Sequence, residues 1–161
     1  MAEYMDVEHA HPISESCDEP GLSSLDLGND VHALAAVRRW TRDTLAGVAE
    51  DGLDAVLLVV NELVSNAVDH GRGPWRLRLR RSATPFSVRV EVDDPSPEPP
   101  GLGRSCLDGS CLGASRGGGL IVVSRLADDW GVIHGSGGKT VWAEITCGRT
   151  SSATRPVFSA W

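Results

Sequence analysis

The sequence predicts an α+β domain in which helices pack on one face of a mixed, mostly antiparallel sheet. Three observations support this fold class. Apolar residues recur at helical spacing in three segments, four short segments have strand patterns, and the strands come in pairs joined by short turns. Helices grouped apart from such strand pairs are typical of a two-layer α/β sandwich.

Length and charge limit the class of protein. The chain has 161 residues, enough for one domain with a buried core. Its formal net charge of -7 disfavours direct binding to nucleic acid, because affinity for phosphates depends on clustered lysine and arginine. Since no segment resembles a membrane span or a signal peptide, we expect a cytoplasmic protein that does not enter a membrane and keeps its cysteines as free thiols.

Composition divides the chain into three parts. Residues 1–22 are mostly polar and acidic and are expected to form a flexible arm. Residues 23–147 are expected to form the domain, which includes a long loop rich in Pro, Gly and Ser at about 95–119. Residues 148–161, rich in Ser, Thr and Arg, are expected to form a flexible tail.

The predicted order begins with two helices. The first lies in "SLDLGNDVHALAAVRRWTRDTLAGV", where apolar residues recur at helical spacing and Asn29 or Asp30 can serve as the N-cap. The second is "AVLLVVNELVSNAVDHG", and Gly71 is a typical signal for the end of a helix. Two strands, the long loop, a third helix and two further strands complete the order.

The strands are predicted by alternation. "PWRLRLRRS" alternates apolar residues with arginines, and "FSVRVEVDD" follows after a turn short enough for a hairpin. The arginine face of the first of these strands is interpreted as a solvated surface or as protection of a sheet edge. Arg38 and Arg39 on the first helix are better candidates for contact with a protein partner. The third helix is predicted in "GLIVVSRLADDWGV" and the last strand in "KTVWAEITC".

The second helix carries an unusual polar face. At about 100° per residue, Val60, Leu63 and Val64 lie on an apolar stripe, whereas Glu62 and Asn66 lie on the other side. Most such faces are simply solvated. Asn, however, has poor helix propensity and usually occurs at caps and turns. An amide and a carboxylate one turn apart can supply the oxygen ligands that Mg²⁺ prefers.

Four motifs in order extend this observation. "ELVSNAVDHG", "VEVDD", "RGGGLIVVSRLADDWGV" and "GGKTVWAEI" together resemble the motif series of the histidine-kinase-like ATPases with the Bergerat fold. More narrowly, the chain is similar to the anti-sigma factor serine kinases and related small ATP-binding regulatory proteins of actinobacteria. The resemblance spans about residues 25–145. It implies the Bergerat ATP-binding fold and a site for ATP and Mg²⁺.

The resemblance also implies roles for individual residues. Asn66 matches the asparagine that coordinates Mg²⁺ on the nucleotide phosphates, and Glu62 matches the glutamate that acts as a general base. Asp94 matches the aspartate that accepts a hydrogen bond from the adenine amino group. Thr140 matches a threonine that lines the adenine end of the pocket.

The phosphate end of the site is implied in the same way. Gly117 and Gly119 match the glycine-rich motif that approaches the phosphates, and Leu120 lies at the N-terminus of the helix that follows, which favours an anion. The chain departs from the family pattern after the aspartate, where "DDPSPEPP" stands in place of glycines. Proline restricts the turn, so the resemblance does not extend to backbone contacts that glycines there would make with adenine.

Two functions follow from the resemblance. The first is an anti-sigma factor serine/threonine protein kinase that binds a sigma factor and phosphorylates an anti-anti-sigma factor protein. The alternative is a nucleotide-binding regulatory module that transfers no phosphate and acts by protein binding alone. A third hypothesis, a structural or interaction protein that binds no nucleotide, is the least favoured of the three. A homodimer is compatible with the apolar first helix, and a sensor histidine kinase is disfavoured because this length leaves no room for a second helical domain.

Overall fold

Helices cover one face of an antiparallel sheet. The computed structural model describes residues 15–16, 21–29, 34–96 and 119–149. Within these ranges the elements are β1 Glu15–Ser16, β2 Leu22–Gly28, α1 Leu34–Thr44, α2 Glu50–His70, β3 Trp75–Ala83, β4 Phe86–Asp94, α3 Gly119–Leu126, β5 Asp129–Gly135 and β6 Gly138–Thr146. The predicted α+β fold class is confirmed. Most of the predicted arm and loop, and most of the predicted tail, lie outside the described residues.

The sheet has the strand order β1-β2-β3-β4-β6-β5. Every strand pairing in the described part of the chain is antiparallel. A mixed sheet would need at least one parallel pair, so the described sheet is antiparallel and not mixed. The predicted hairpin is confirmed, because β3 and β4 pair from Ala83 opposite Phe86 back to Arg76 opposite Asp93. Strand β6 then lies between β4 and β5 and pairs with both.

Strand β2 corrects the predicted order of elements. The segment predicted as the first helix starts at Ser24 and the predicted arm ends at Leu22, but Leu22–Gly28 pairs with β3 as a strand, and the described part of α1 begins only at Leu34. Leu25 and Leu27 are buried while Asp26 between them faces outward. The alternation of Leu25 and Leu27 with Asp26, in a segment otherwise rich in Ser and ending in Gly, is a weak strand signal, since Asp and Gly have low strand propensity. Pairing with β3, which has a clear strand pattern, determines the structure of this segment.

The core lies between the sheet and α2. The apolar stripe predicted on this helix is buried, and Val59, Val60 and Leu63 are at most 1% exposed. On the sheet, the alternation predicted for β3, β4 and β6 is confirmed. The apolar residues of these three strands that are at most 4% exposed are Leu77, Leu79, Val88, Val90, Val92, Val141, Ala143 and Ile145. This packing fixes α2 on the sheet, and its polar face therefore has a defined position.

The opposite face of the sheet is a network of ion pairs. Arg78 contacts Glu91 at 3.1 Å and Asp93 at 2.7 Å, and Arg89 contacts Glu91 at 2.8 Å and lies over the Trp142 ring. Edge protection is therefore the wrong interpretation of the arginines of β3, because β3 lies inside the sheet between β2 and β4. The charges of Arg76 and Arg78 face carboxylates of neighbouring strands instead.

Two further expectations concern the membrane and the cysteines. Among the described helices, none is both long and apolar enough to cross a bilayer. Cys147 is a free thiol, as expected, and burial raises its pKa, which favours the protonated and less reactive form at neutral pH. The other three cysteines lie outside the described residues.

Candidate functional site

Glu62 and Asn66 lie together on α2. Asn66 follows Glu62 by four positions along the helix, so their side chains are neighbours on one face. Both are partly exposed, and neither side chain forms a hydrogen bond or an ion pair with another described residue. A carboxylate and an amide that are held on a buried helix, but are not engaged by their surroundings, can act on a ligand. The predicted neighbourhood of these two residues is confirmed.

Asp94 lies at the end of β4 on the face that α2 covers, and it is almost fully buried. Its carboxylate has two partners: Oδ2 accepts a hydrogen bond from the Lys139 ammonium group at 3.0 Å, and Oδ1 accepts one from the Ser96 backbone N–H at 2.8 Å. The Lys139 ammonium also donates to the Ser96 carbonyl at 3.3 Å. Asp94 and Lys139 are each 2% exposed, so this is an ion pair removed from water.

Gly71 joins α2 to this ion pair. Its backbone N–H donates to the Ala67 carbonyl at 2.7 Å and ends the helix, as predicted. Its φ of -115° is open to any residue, so backbone conformation does not require glycine here. The requirement is steric, because a Cβ atom on Gly71 would overlap the Asp94 carboxylate and would come within 2.6 Å of the Ala67 carbonyl oxygen. The end of α2 thus lies directly against Asp94.

We expect Gly71→Ala to lower the free energy of unfolding by about 1–3 kcal/mol, the usual effect of adding atoms to a closed site. The added methyl group must displace either the helix end or the Asp94 carboxylate. Urea denaturation measures the change. Gly135→Ala is the matched control, since a Cβ atom at Gly135 has no neighbour within 4 Å. Equal stability of the two variants would contradict the close approach of α2 to Asp94.

Thr140 is not brought to Asp94. Side chains alternate along β6, and Thr140 faces the side of the sheet opposite to the buried Val141. Its hydroxyl group donates a hydrogen bond of 2.6 Å to Oδ1 of Asp93, which also accepts from Arg78. The residue of β6 that faces Asp94 is Lys139, its direct neighbour in the strand register. Thr140 therefore lies on the other side of the sheet from the predicted pocket.

A groove of ≈ 620 Å³ opens at the same end of the sheet. Its lining includes five side chains of the helix-free face, Asp26, Arg76, Asp93, Thr140 and Ile133, and it also includes Asp94 and Lys139 at the ends of β4 and β6. No residue of α2 lines it, so the groove does not include Glu62 or Asn66. Two hydrogen bonds, from Arg76 to Asp26 and from the Thr140 hydroxyl group to Asp93, join side chains in its wall.

The glycine-rich segment is only partly described. Gly117 lies outside the described residues, and Gly119 is the first residue of α3. Leu120 is 4% exposed and belongs to the hydrophobic core, so its side chain packs inward and only its backbone N–H remains to meet a ligand. Helix α3 packs against α2. The start of α3 therefore belongs to the same layer as Glu62 and Asn66.

Sequence reasoning missed Lys139 as a site residue. A signal was present, because Lys139 is the only lysine and stands two positions before the inward-facing Val141. Period-two alternation places residues two apart on the same face, which would have assigned Lys139 to the core side. The role of Gly71 beyond ending a helix was also missed, and it has no sequence signal because it depends on the approach of β4.

Comparison with known proteins agrees with the fold. The family model described as "Histidine kinase-like ATPase domain" matches residues 27–145. The solved structure titled "The crystal structure of the RsbU and RsbW domains of Rv1364c from Mycobacterium tuberculosis" is similar with a TM-score of 0.59 and 21% identity, covering 80% of this chain. The match covers 33% of that longer chain, and at this identity it shows the fold alone. No curated protein sequence matches significantly.

Proposed function

Because the chain belongs to the histidine kinase-like ATPase domain family, we propose that it is an anti-sigma factor serine/threonine protein kinase that uses ATP and Mg²⁺. Its substrate would be an anti-anti-sigma factor protein, and its regulatory target a sigma factor. The single observation that carries the proposal is the pairing of Glu62 and Asn66 on a helix whose end lies against the buried Asp94.

The residues fit a magnesium nucleotide. Mg²⁺ usually keeps several waters and takes only one or two protein ligands together with substrate phosphates. The side-chain oxygen of Asn66 is one such ligand, held on a helix whose other face is buried. Asp94 would accept a hydrogen bond from the base beside Gly71, which is five positions beyond Asn66 at the end of α2. The last part of α2 would thus serve the phosphates at Asn66 and the base at its end.

Glu62 would carry the proton in the transfer step. The bound nucleotide supplies the phosphoryl group, and the cation neutralises its charge. The Glu62 carboxylate accepts the proton from a serine or threonine hydroxyl of the protein substrate. The hydroxyl oxygen forms a bond to the γ-phosphorus as the bond from that phosphorus to the bridging oxygen breaks, and ADP leaves. Glu62 is partly exposed, which leaves room for a protein hydroxyl to reach it.

Protein partners are supported by resemblance and by charge. The motif series is similar to that of the anti-sigma factor serine kinases, and the fold is similar to a structure that includes an RsbW domain. The net charge of -7 favours a protein partner over nucleic acid. Arg38 and Arg39 are exposed on α1 and are available for such a contact.

Binding of ATP is the first test. We expect Mg²⁺-ATP to bind the wild-type chain, and Asn66→Ala to weaken that binding about tenfold or more, since a bond to a charged group contributes about 1.5–3 kcal/mol. Calorimetry or a fluorescent ATP analogue measures the affinity. Asn61→Ala is the matched control, because it removes the same group from the same helix about 140° away from Asn66.

Unchanged affinity in Asn66→Ala would remove the metal assignment. Absence of ATP binding by the wild-type chain would reject the proposed function. Binding without phosphorylation of any serine- or threonine-containing antagonist would favour the alternative, a silent nucleotide-binding regulator. Incubation with γ-labelled ATP and candidate antagonist proteins distinguishes the last case.

A further inference from the structure

We propose that Lys139 recognises the base of the nucleotide by donating a hydrogen bond to a ring nitrogen of adenine. This nitrogen is next to the exocyclic amino group, from which Asp94 would accept a hydrogen bond. The inference rests on the proposed ATP site and adds a specificity-determining residue to it. The observation behind it is the Lys139–Asp94 ion pair at the end of β4 and β6, against the end of α2.

Stability alone does not account for this ion pair. Lysine is almost never fully buried unless it is paired, and here the only lysine of the chain is 2% exposed. Taking an ammonium and a carboxylate out of water has a penalty that often exceeds their attraction, so that two apolar side chains would stabilise the fold at least as well. A buried ion pair in a candidate site therefore points to a use for its polar groups.

The hydrogen-bonding capacity of the pair is not exhausted. An ammonium group has three N–H donors, and Lys139 uses two of them, on Asp94 and on the Ser96 carbonyl. Its third N–H has no acceptor among the described residues. The Asp94 carboxylate accepts one hydrogen bond at each oxygen, which leaves a second lone pair on each. The pair thus offers a ligand one donor and an acceptor position on each carboxylate oxygen, and the donor nitrogen lies 3.0 Å from Oδ2.

Adenine carries the complementary pattern. Its exocyclic amino group is a donor, and the ring nitrogens on either side of that group, N1 and N7, are acceptors. A carboxylate alone would contact the amino group only. A carboxylate beside an ammonium group can contact two neighbouring atoms of the same edge, which is how bidentate pairs discriminate between bases.

The strand register places Lys139 in this position. Lys139 is on the same face of β6 as Val141 and Ala143, which are buried against the helices, and it pairs with Asp94 in the register of β4. Gly138 before it has a φ of +133°, and a Cβ atom there would come within 2.6 Å of Pro95. Glycine at this position lets β6 approach the end of β4 closely enough for the ion pair to form.

Adenine analogues test the inference on the wild-type chain. We expect either 1-deaza-ATP or 7-deaza-ATP, each lacking one ring acceptor, to bind about tenfold or more weakly than ATP. Calorimetry with each nucleotide and Mg²⁺ gives the ratio. Asn66→Ala should lower the affinity for every nucleotide by the same factor and leave the ratio unchanged, because it acts on the phosphates. Equal binding of all three nucleotides by the wild-type chain would overturn the inference and leave the proposed function standing.

The variant Lys139→Gln assigns the effect to the side chain. Glutamine retains an amide donor for Asp94 but lacks the ammonium group. We expect this variant to bind ATP with nearly the same affinity as the deaza analogue that the wild-type chain binds more weakly. The control variant Arg42→Gln removes an exposed charge on α1 and should retain the wild-type ratio of the two affinities. A wild-type ratio in Lys139→Gln would show that another group contacts the ring nitrogen, and the inference would fail.

A direct measurement covers the case in which Lys139→Gln does not fold. Because the chain has one lysine, protein grown with [¹⁵Nζ]-lysine has a single side-chain nitrogen signal in NMR spectra. We expect ATP to shift that signal, and the discriminated deaza analogue to shift it distinctly less. A signal that stays in place while ATP binds would overturn the inference. Failure of the wild-type chain to bind any nucleotide is a separate result, which rejects the proposed function itself.

Discussion

Replacing Lys139 with methionine is expected to lower the free energy of unfolding by about 3–5 kcal/mol, because it leaves a buried carboxylate without its counter-ion. Asp94 is 2% exposed and its Oδ2 atom accepts the Lys139 hydrogen bond. The Ser96 N–H would then be the remaining donor to this carboxylate among the described residues. Urea or thermal denaturation at neutral pH measures the loss.

Arg76→Met is the matched control for this variant. Arg76 also faces an aspartate across two paired strands, at 2.6 Å from Asp26, but the two side chains are 55% and 43% exposed. Exposed ion pairs contribute only about 0–1 kcal/mol, so Arg76→Met should lose little. The double variant Lys139→Met/Asp94→Asn should recover much of the lost stability, since it no longer buries a charge. If Lys139→Met lost no more stability than Arg76→Met, burial would not be the source of the effect.

The variant Glu62→Gln is expected to bind Mg²⁺-ATP with nearly wild-type affinity while phosphoryl transfer falls by about 10²–10⁴-fold. The amide has almost the same shape as the carboxylate but cannot accept the proton of the attacking hydroxyl. Because Glu62 forms no hydrogen bond or ion pair with another described residue, its replacement should leave the fold unchanged. Transfer from γ-labelled ATP to the antagonist protein, together with calorimetry, separates binding from chemistry.

Asp69→Asn provides the control for charge. Asp69 is exposed on the same side of α2, seven residues or about two turns beyond Glu62, and no role is assigned to it. We expect this variant to retain transfer. Loss of transfer in both variants would indicate a general effect of negative charge on α2, and full transfer in Glu62→Gln would remove Glu62 as the base.

Much of the fold could be predicted from local pattern. The apolar stripe of α2 and the alternation along β3, β4 and β6 were correct because each buried face repeats over enough residues to be unambiguous. Strand β2 was missed because its signal is two leucines among polar residues, and its structure depends on pairing with β3. Local propensity is a weak guide where a partner strand supplies the hydrogen bonds.

The candidate site also has one part that local pattern predicts and one part that depends on tertiary structure. Glu62 and Asn66 could be placed side by side from helical spacing alone, and that neighbourhood is confirmed. Thr140 was assigned to the pocket by motif, yet its hydroxyl bonds to Asp93 on the other face of the sheet. A shift of one residue along a strand reverses the face to which a side chain points, and the register of β6 against β4 places Lys139 rather than Thr140 beside Asp94.

The sequence by itself determined the two faces of α2 and the inward faces of three strands, because periodicity is a property of the chain and needs no partner. Only the tertiary structure decided which groups meet at the end of the sheet. The burial of Lys139, its bond to Asp94 and the steric need for Gly71 all arise where α2, β4 and β6 converge. Contacts between segments far apart in the chain follow from packing and register, which no single segment encodes.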